Sequence, residues 1–156
     1  MSARTGRPLL VAVEGKSSRR RSVEAERVLA RLRTHGHEAT LVRGPDPELG
    51  ETIARIRARR GVGAVASSLL GAAEFSVRYH EQILPAVERA AVVVADGYVG
   101  SAIASELAAG LPKGFVDALY AFARPADITL WTDDEAEATH ESVFARVAIA
   151  AVAGGT

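Results

Sequence analysis

The stretch Leu9-Leu10-Val11-Ala12-Val13-Glu14-Gly15-Lys16-Ser17-Ser18-Arg19-Arg20-Arg21-Ser22 decides the fold of this chain. Its first five residues form an unbroken apolar run, the pattern of a strand buried on both faces in a parallel sheet. A polar turn from Glu14 to Ser22 follows. Beyond it, apolar or small residues at Val23, Ala25, Val28, Leu29 and Leu32 fall at helical spacing. Glu24, Glu26, Arg27, Arg31 and Arg33 lie largely on the other side. Ser22 is placed to cap this helix and Gly36 to end it. The unit is therefore strand, charged turn, amphipathic helix.

Outward from this unit, strands alternate with helices. Glu38–Val42 reads as a strand, residues 43–50 as a loop containing Pro45 and Pro47, and Glu51–Arg60 as a short basic helix. Residues 61–66 fit either a strand or a loop. Residues 67–89 are helix-rich, with a kink expected at Pro85. Ala91–Ala95 is a second buried strand, followed at once by Asp96. Helices are expected over Val99–Ala109 and Pro112–Ala123, the latter with proline in its first turn. Ile128–Trp131 is a strand ahead of Asp133, and Glu135–Ala153 a final helix. This alternation predicts an α/β fold: an open parallel sheet flanked by helices on both faces. Ligands in such sheets bind beyond the carboxyl ends of the strands, where Glu14, Gly15, Arg43, Asp96 and Asp133 lie.

With 156 residues the chain is read as a single domain spanning 1–156. A net charge of zero gives no general attraction for nucleic acid or an anionic membrane. The absence of cysteine excludes disulfides, thiolate metal sites and cysteine nucleophiles, and agrees with a cytoplasmic setting. The first apolar run is broken by Glu14, too early for a signal-peptide core or membrane span. Alanine- and arginine-rich usage points to a GC-rich bacterial genome. His35 and His37 sit at the far end of the first helix, and His80-Glu81 lacks a second histidine at metal spacing. No Gly-x-Ser-x-Gly nucleophile motif occurs. Tyr98, Tyr120, Phe122 and Trp131 read as core or interface residues rather than a base-stacking surface.

The order of motifs resembles the thymidylate kinases over roughly residues 9–133. The residues carrying this resemblance are the strand ending in Glu14-Gly15, Gly36-His37-Glu38, Leu41 to Pro45, Leu49-Gly50-Glu51 and Ala72-Ala73-Glu74. They continue with the helix from Ile83 to Arg89, Val92 to Val99, and Pro125 to Leu130. The resemblance implies a P-loop kinase fold and a homodimer through helices. It also implies substrate-side roles for Arg43, Glu74, Tyr98 and Glu106.

Several of the family's parts are exchanged. Its phosphate loop reads Gly-x-x-x-x-Gly-Lys-Ser/Thr. An ungapped comparison places Gly15 on the first glycine, Arg20 on the second, Arg21 on the lysine and Ser22 on the hydroxyl residue. A second register takes Gly15-Lys16-Ser17 as the loop's end. The arginine turn is either a solvated basic helix start or an anion site. The family's Asp-Arg-Tyr is Asp96-Gly97-Tyr98 here, its arginine after Ala-Ala-Asp is Phe75, an acidic loop residue is Ser17, and its Tyr-Gln pair is Ser105-Glu106. Its arginine-bearing lid and adenine-side strand have no counterpart, so a fold reduced at the lid and C-terminus is expected. Two functions follow. One is a diverged member that has lost standard thymidylate phosphorylation and serves as a binding or accessory protein for a small molecule or protein partner. The other is an active phosphotransferase using ATP and magnesium. There Lys16, Arg20 and Arg21 would hold phosphate, Ser22 and Asp96 the metal, and Glu14 or Glu74 would orient the acceptor.

Overall fold

A computed structural model describes residues 7–132. Four parallel strands, β1 (Leu9–Glu14), β2 (Ala39–Arg43), β3 (Val92–Asp96) and β4 (Ile128–Trp131), form one sheet in the order β2-β3-β1-β4. The helices among the described residues are α1 (Ser18–Thr34), α2 (Pro47–Arg57), α3 (Ala64–Arg78), α4 (Leu84–Arg89), α5 (Val99–Ala108) and α6 (Lys113–Leu119). The final helix expected over Glu135–Ala153 and Asp133 lie outside the described residues.

Strand side chains alternate between two cores, as the two-residue repeat requires. Val11, Val13, Val92 and Val94 pack with Ala25, Val28, Leu29 and Leu32 of α1 on one face. Leu10, Ala12, Val93 and Ala95 pack with Phe75, Tyr79, Ile83, Val116 and Tyr120 on the other. Each central strand is buried on both sides, which is why it reads as a continuous apolar run. Register places Val13 opposite Asp96, Arg43 opposite Asp96 and Glu14 opposite Trp131. The polar strand ends therefore line one edge.

Local chemistry moves several boundaries. α1 begins at Ser18, with Ser17 rather than Ser22 as its cap: Ser17 Oγ accepts from the Arg20 N–H at 3.3 Å. Its end matches the expectation. Gly36 takes a left-handed φ of 83°, and bonds from Gly36 N to the Arg33 carbonyl and from His37 N to the Leu32 carbonyl close a Schellman motif. α2 begins at Pro47 rather than Glu51. Asp46 Oδ1 accepts from Leu49 N at 2.9 Å, and proline suits the first helical turn, where an N–H has no intrahelical partner. Residues 61–63 are loop. The irregularity near Pro85 is a π-helical turn over Tyr79–Ile83, with Leu84 N bonded to the Tyr79 carbonyl. Pro85 has no N–H to continue the ordinary ladder, so the ladder slips one residue just before it.

Candidate functional site

Only Gly15, Lys16 and Ser17 separate the end of β1 from the first turn of α1. The arginine run and Ser22 are therefore helical. Arg21 folds back and donates to the Gly15 carbonyl, while its Nε lies 3.8 Å from Asp96 Oδ1. Ser22 Oγ donates to Asp96 Oδ2 at 2.7 Å. Arg20 and Lys16 are exposed. Of the predicted phosphate and metal group, the fold thus brings Gly15, Arg21, Ser22 and Asp96 together but leaves Arg20 on the helix surface.

Ser22 and Asp96, the pair expected to hold magnesium, are bonded to each other. Both carboxylate oxygens of Asp96, which is 4% exposed, already face the Ser22 hydroxyl or the Arg21 guanidinium. Magnesium keeps several waters and takes one or two carboxylates together with substrate phosphates, so an ion here would have to displace these contacts. Glu14 and Glu74 do not complete the set, and no cluster of three or more metal-ligating side chains occurs among the described residues.

Glu14 is 1% exposed and accepts from the N–H groups of Gly100 and Ser101, both at 2.9 Å, and from the Ser101 hydroxyl. It is the cap of α5, whose own cap residue, Tyr98, makes no side-chain capping bond. A carboxylate at a helix N-terminus meets orphan donors and the positive end of the dipole. Both oxygens of Glu14 take part in this cap.

A cavity of about 470 Å³ opens between α2, α3, α5 and the end of β3. Glu74, Tyr98 and Glu106, all expected on the substrate side, line it, as do Arg21 and Asp96. Arg43 does not. It is exposed and pairs with Glu26 of α1. The cavity's buried cation is Arg78, which sequence reading did not single out. Its Nε donates to Glu74 Oε1 at 3.2 Å and its Nη1 to the Gly97 carbonyl at 2.8 Å. Glu74 Oε1 also accepts from Asp46 N at 2.8 Å. The guanidinium carbon stands 5.1 Å from the Phe75 ring centre. Gly44 has no side chain because Arg78 lies there: a Cβ would fall 2.3 Å from Nη1. The spacing of Glu74 and Arg78, four residues apart on one helix, is a signal for this pair.

Two tyrosines shape the apolar wall. Tyr98 packs edge-on to Phe75 with ring centres 5.2 Å apart and donates to the Arg124 carbonyl. Tyr120 donates to Glu106 Oε1 at 2.7 Å. Burial pushes both hydroxyls well above the ordinary tyrosine range. Tyr79 adds to the effect at Tyr98, and the bond to Glu106 adds to it at Tyr120.

The parallel sheet, the strand–turn–helix unit and a cavity at the carboxyl edge of the strands define an α/β protein of the P-loop-kinase type. No established family profile matches the chain. It is 32% identical over 122 residues to the thymidylate kinase of Afipia carboxidovorans, covering 75% of this chain and 54% of that protein. It is 28% identical over 134 residues to a probable thymidylate kinase of Pyrococcus horikoshii, covering 81% of this chain and 65% of that protein. Among solved structures, the thymidylate kinase of Ehrlichia chaffeensis shares the fold, with a TM-score of 0.70 and 17% identity over 91% of this chain and 81% of that one. In sequence and in fold the chain is similar to thymidylate kinases. It spans about half to two thirds of the length of the curated relatives it matches. No helix among the described residues is long and apolar enough to cross a membrane.

Proposed function

We propose that this chain has lost standard thymidylate phosphorylation and acts as a binding or accessory protein with a refitted pocket. The observation carrying this reading is the state of Arg21. Its guanidinium is turned inward onto the Gly15 carbonyl and Asp96, where the phosphate-loop comparison would have a lysine serving phosphate. An arginine does not substitute for lysine in such a place, and three connecting residues cannot wrap a phosphate chain. The loss of arginine at Phe75 and Gly97 acts in the same direction. A homodimer through helices belongs to the same reading, supported by Val65 and Leu69, about half exposed and one turn apart on α3.

The test combines a thymidine-monophosphate kinase assay with calorimetric titration of ATP-magnesium, each on the full chain and on Arg21→Ala. The expected result is turnover far below the roughly 1–100 per second of ordinary kinases, no micromolar ATP binding, and a solution mass twice the 16.4 kDa of one chain. Ordinary turnover that Arg21→Ala abolishes would instead establish the phosphotransferase reading and overturn this one.

A further inference from the structure

The outer end of the cavity holds a cation and a buried carboxylate that are not paired with each other. Glu106 of α5 accepts from the Tyr120 hydroxyl at 2.7 Å through Oε1, while its Oε2 is withdrawn from water and has no hydrogen-bond partner. Arg57, the last residue of α2, is exposed, and its Nη2 donates to the Ser67 carbonyl of α3 at 2.7 Å. Gly71, one turn further along α3, is the gap that admits the guanidinium. The position a Cβ would take there lies 2.8 Å from Arg57 Nη2 and 4.0 Å from Tyr120 Oη. Cation, hydroxyl and carboxylate are thus a chain of neighbours leading from α2 to α5, and all three line the cavity. Burial raises the Tyr120 hydroxyl, and the charge of Arg57 opposes that rise.

The bond Arg57 now makes is readily given up. Ser67 lies inside α3, where its carbonyl serves the helix ladder whether or not arginine is present. Glu106 Oε2 offers a charged acceptor instead, and hydrogen bonds to ionised groups are about twice as strong as neutral ones. A buried acceptor without a partner is costly, so filling it is favourable. Hydration of the exposed guanidinium and the rotamer freedom of its long side chain act against the exchange.

We propose that Arg57 is a gate on the cavity: it exchanges the Ser67 carbonyl for Glu106 Oε2, and the resulting pair closes the outer end between α2 and α5. This rests on the reading above that the cavity is a binding pocket, and adds control of access to it.

The chain has no cysteine, so a single introduced thiol reports access. Ala102, one turn before Glu106 on α5, is partly buried and lines the cavity. Ala102→Cys is labelled with iodoacetamide, a neutral reagent that the cation does not steer, and rates are compared per thiolate from their pH dependence. Arg57→Gln in this background is expected to speed labelling about tenfold or more, the worth of a bond between charged groups. Glu106→Gln should do the same, and the two together should add little to either, because each breaks one shared pair. Arg57→Lys keeps the charge and should keep most of the protection. Molar salt should speed labelling in the Arg57 chain and leave Arg57→Gln unchanged. Urea midpoints identify any variant that loosens the whole fold, and Ser68→Cys, at a site 2% exposed on the α3 wall of the cavity, decides if Ala102→Cys does not fold. A change below about threefold in folded Arg57→Gln, an acceleration that Glu106→Gln does not share, or fully additive effects would overturn the inference. The labelling needs neither ligand nor turnover, so it can fail while the binding reading stands, and the kinase assay can fail without moving it.

Discussion

Replacing Arg78 by methionine tests the reasoning about the cavity's buried frame. The guanidinium joins three segments: α3 through Glu74, the turn after β3 through the Gly97 carbonyl, and, through Glu74, the turn before α2 at Asp46 N. The side chains of Arg78 and Glu74 are 7% and 10% exposed. Methionine keeps much of the apolar stem and removes the charge. Glu74 is then left buried without its cation, and the Gly97 carbonyl loses its donor. Breaking a buried pair by removing one partner costs about 3–5 kcal/mol. For a chain of this size each kcal/mol moves the melting point roughly 2–4 °C, so a fall of roughly 6–20 °C is expected. Thermal unfolding followed by far-ultraviolet circular dichroism measures the shift, and urea unfolding the free energy. The double variant Glu74→Gln/Arg78→Met removes the stranded charge while the amide still accepts from Asp46 N. It should recover about 1–3 kcal/mol relative to the single variant. A loss under about 1 kcal/mol in Arg78→Met, or strictly additive single effects, would refute the account of Arg78 as a buried, coupled cation.

Two further outcomes are expected. Glu14→Gln keeps one acceptor but turns an N–H₂ toward the donors of α5 and removes the anion from that helix end. It should lower the unfolding free energy by about 2–4 kcal/mol, and a urea midpoint unchanged from the parent chain would sink the assignment of Glu14 as the cap of α5. Tyr98 and Tyr120 hold their protons in the folded chain to higher pH than in the unfolded one, because burial raises both hydroxyls. Above about pH 10 the unfolded chain binds fewer protons, so stability falls as pH rises, by about 2.7 kcal/mol per pH unit for two such groups. Melting temperatures across alkaline pH should show this decline, and Tyr98→Phe should halve its slope. A flat profile would count against the burial of both hydroxyls.

The architecture was legible because backbone periodicity is local. Val92 to Ala95, like the run opening at Leu9, is apolar without interruption because each strand is covered on both faces. The errors were local as well. Ser22 and Ser17 are both capping residues, and the helix took the earlier one, leaving Ser22 to bond Asp96. Asp46-Pro47 is a cap and first-turn pair, hidden in sequence by the two nearby prolines that suggested a loop. The π-turn at Tyr79–Ile83 is the form taken by the irregularity expected at Pro85.

The site was legible only as a set of strand ends. Gly15, Asp96, Glu74, Tyr98 and Glu106 were identifiable by position and by motif order, and they do lie along one edge and one cavity. What each does was not. Glu14 is a capping group because α5 delivers Gly100 and Ser101 to it across the sheet, a meeting of residues 86 and 87 positions apart. Arg43 turns toward Glu26 of α1, and Arg21 toward Gly15 and Asp96, because a flexible cation goes to the nearest anion or carbonyl that the packing supplies.

By itself, then, the sequence determined the alternation of strands and helices, the parallel sheet and the polar strand ends at which the candidate residues lie. These follow from residue spacing and side-chain chemistry within a few positions. Only the tertiary structure decided which charges are spent on one another and that Arg78 is the buried cation of the cavity. Those are pairings between distant segments, and their energies depend on burial and distance, neither of which a linear order of residues contains.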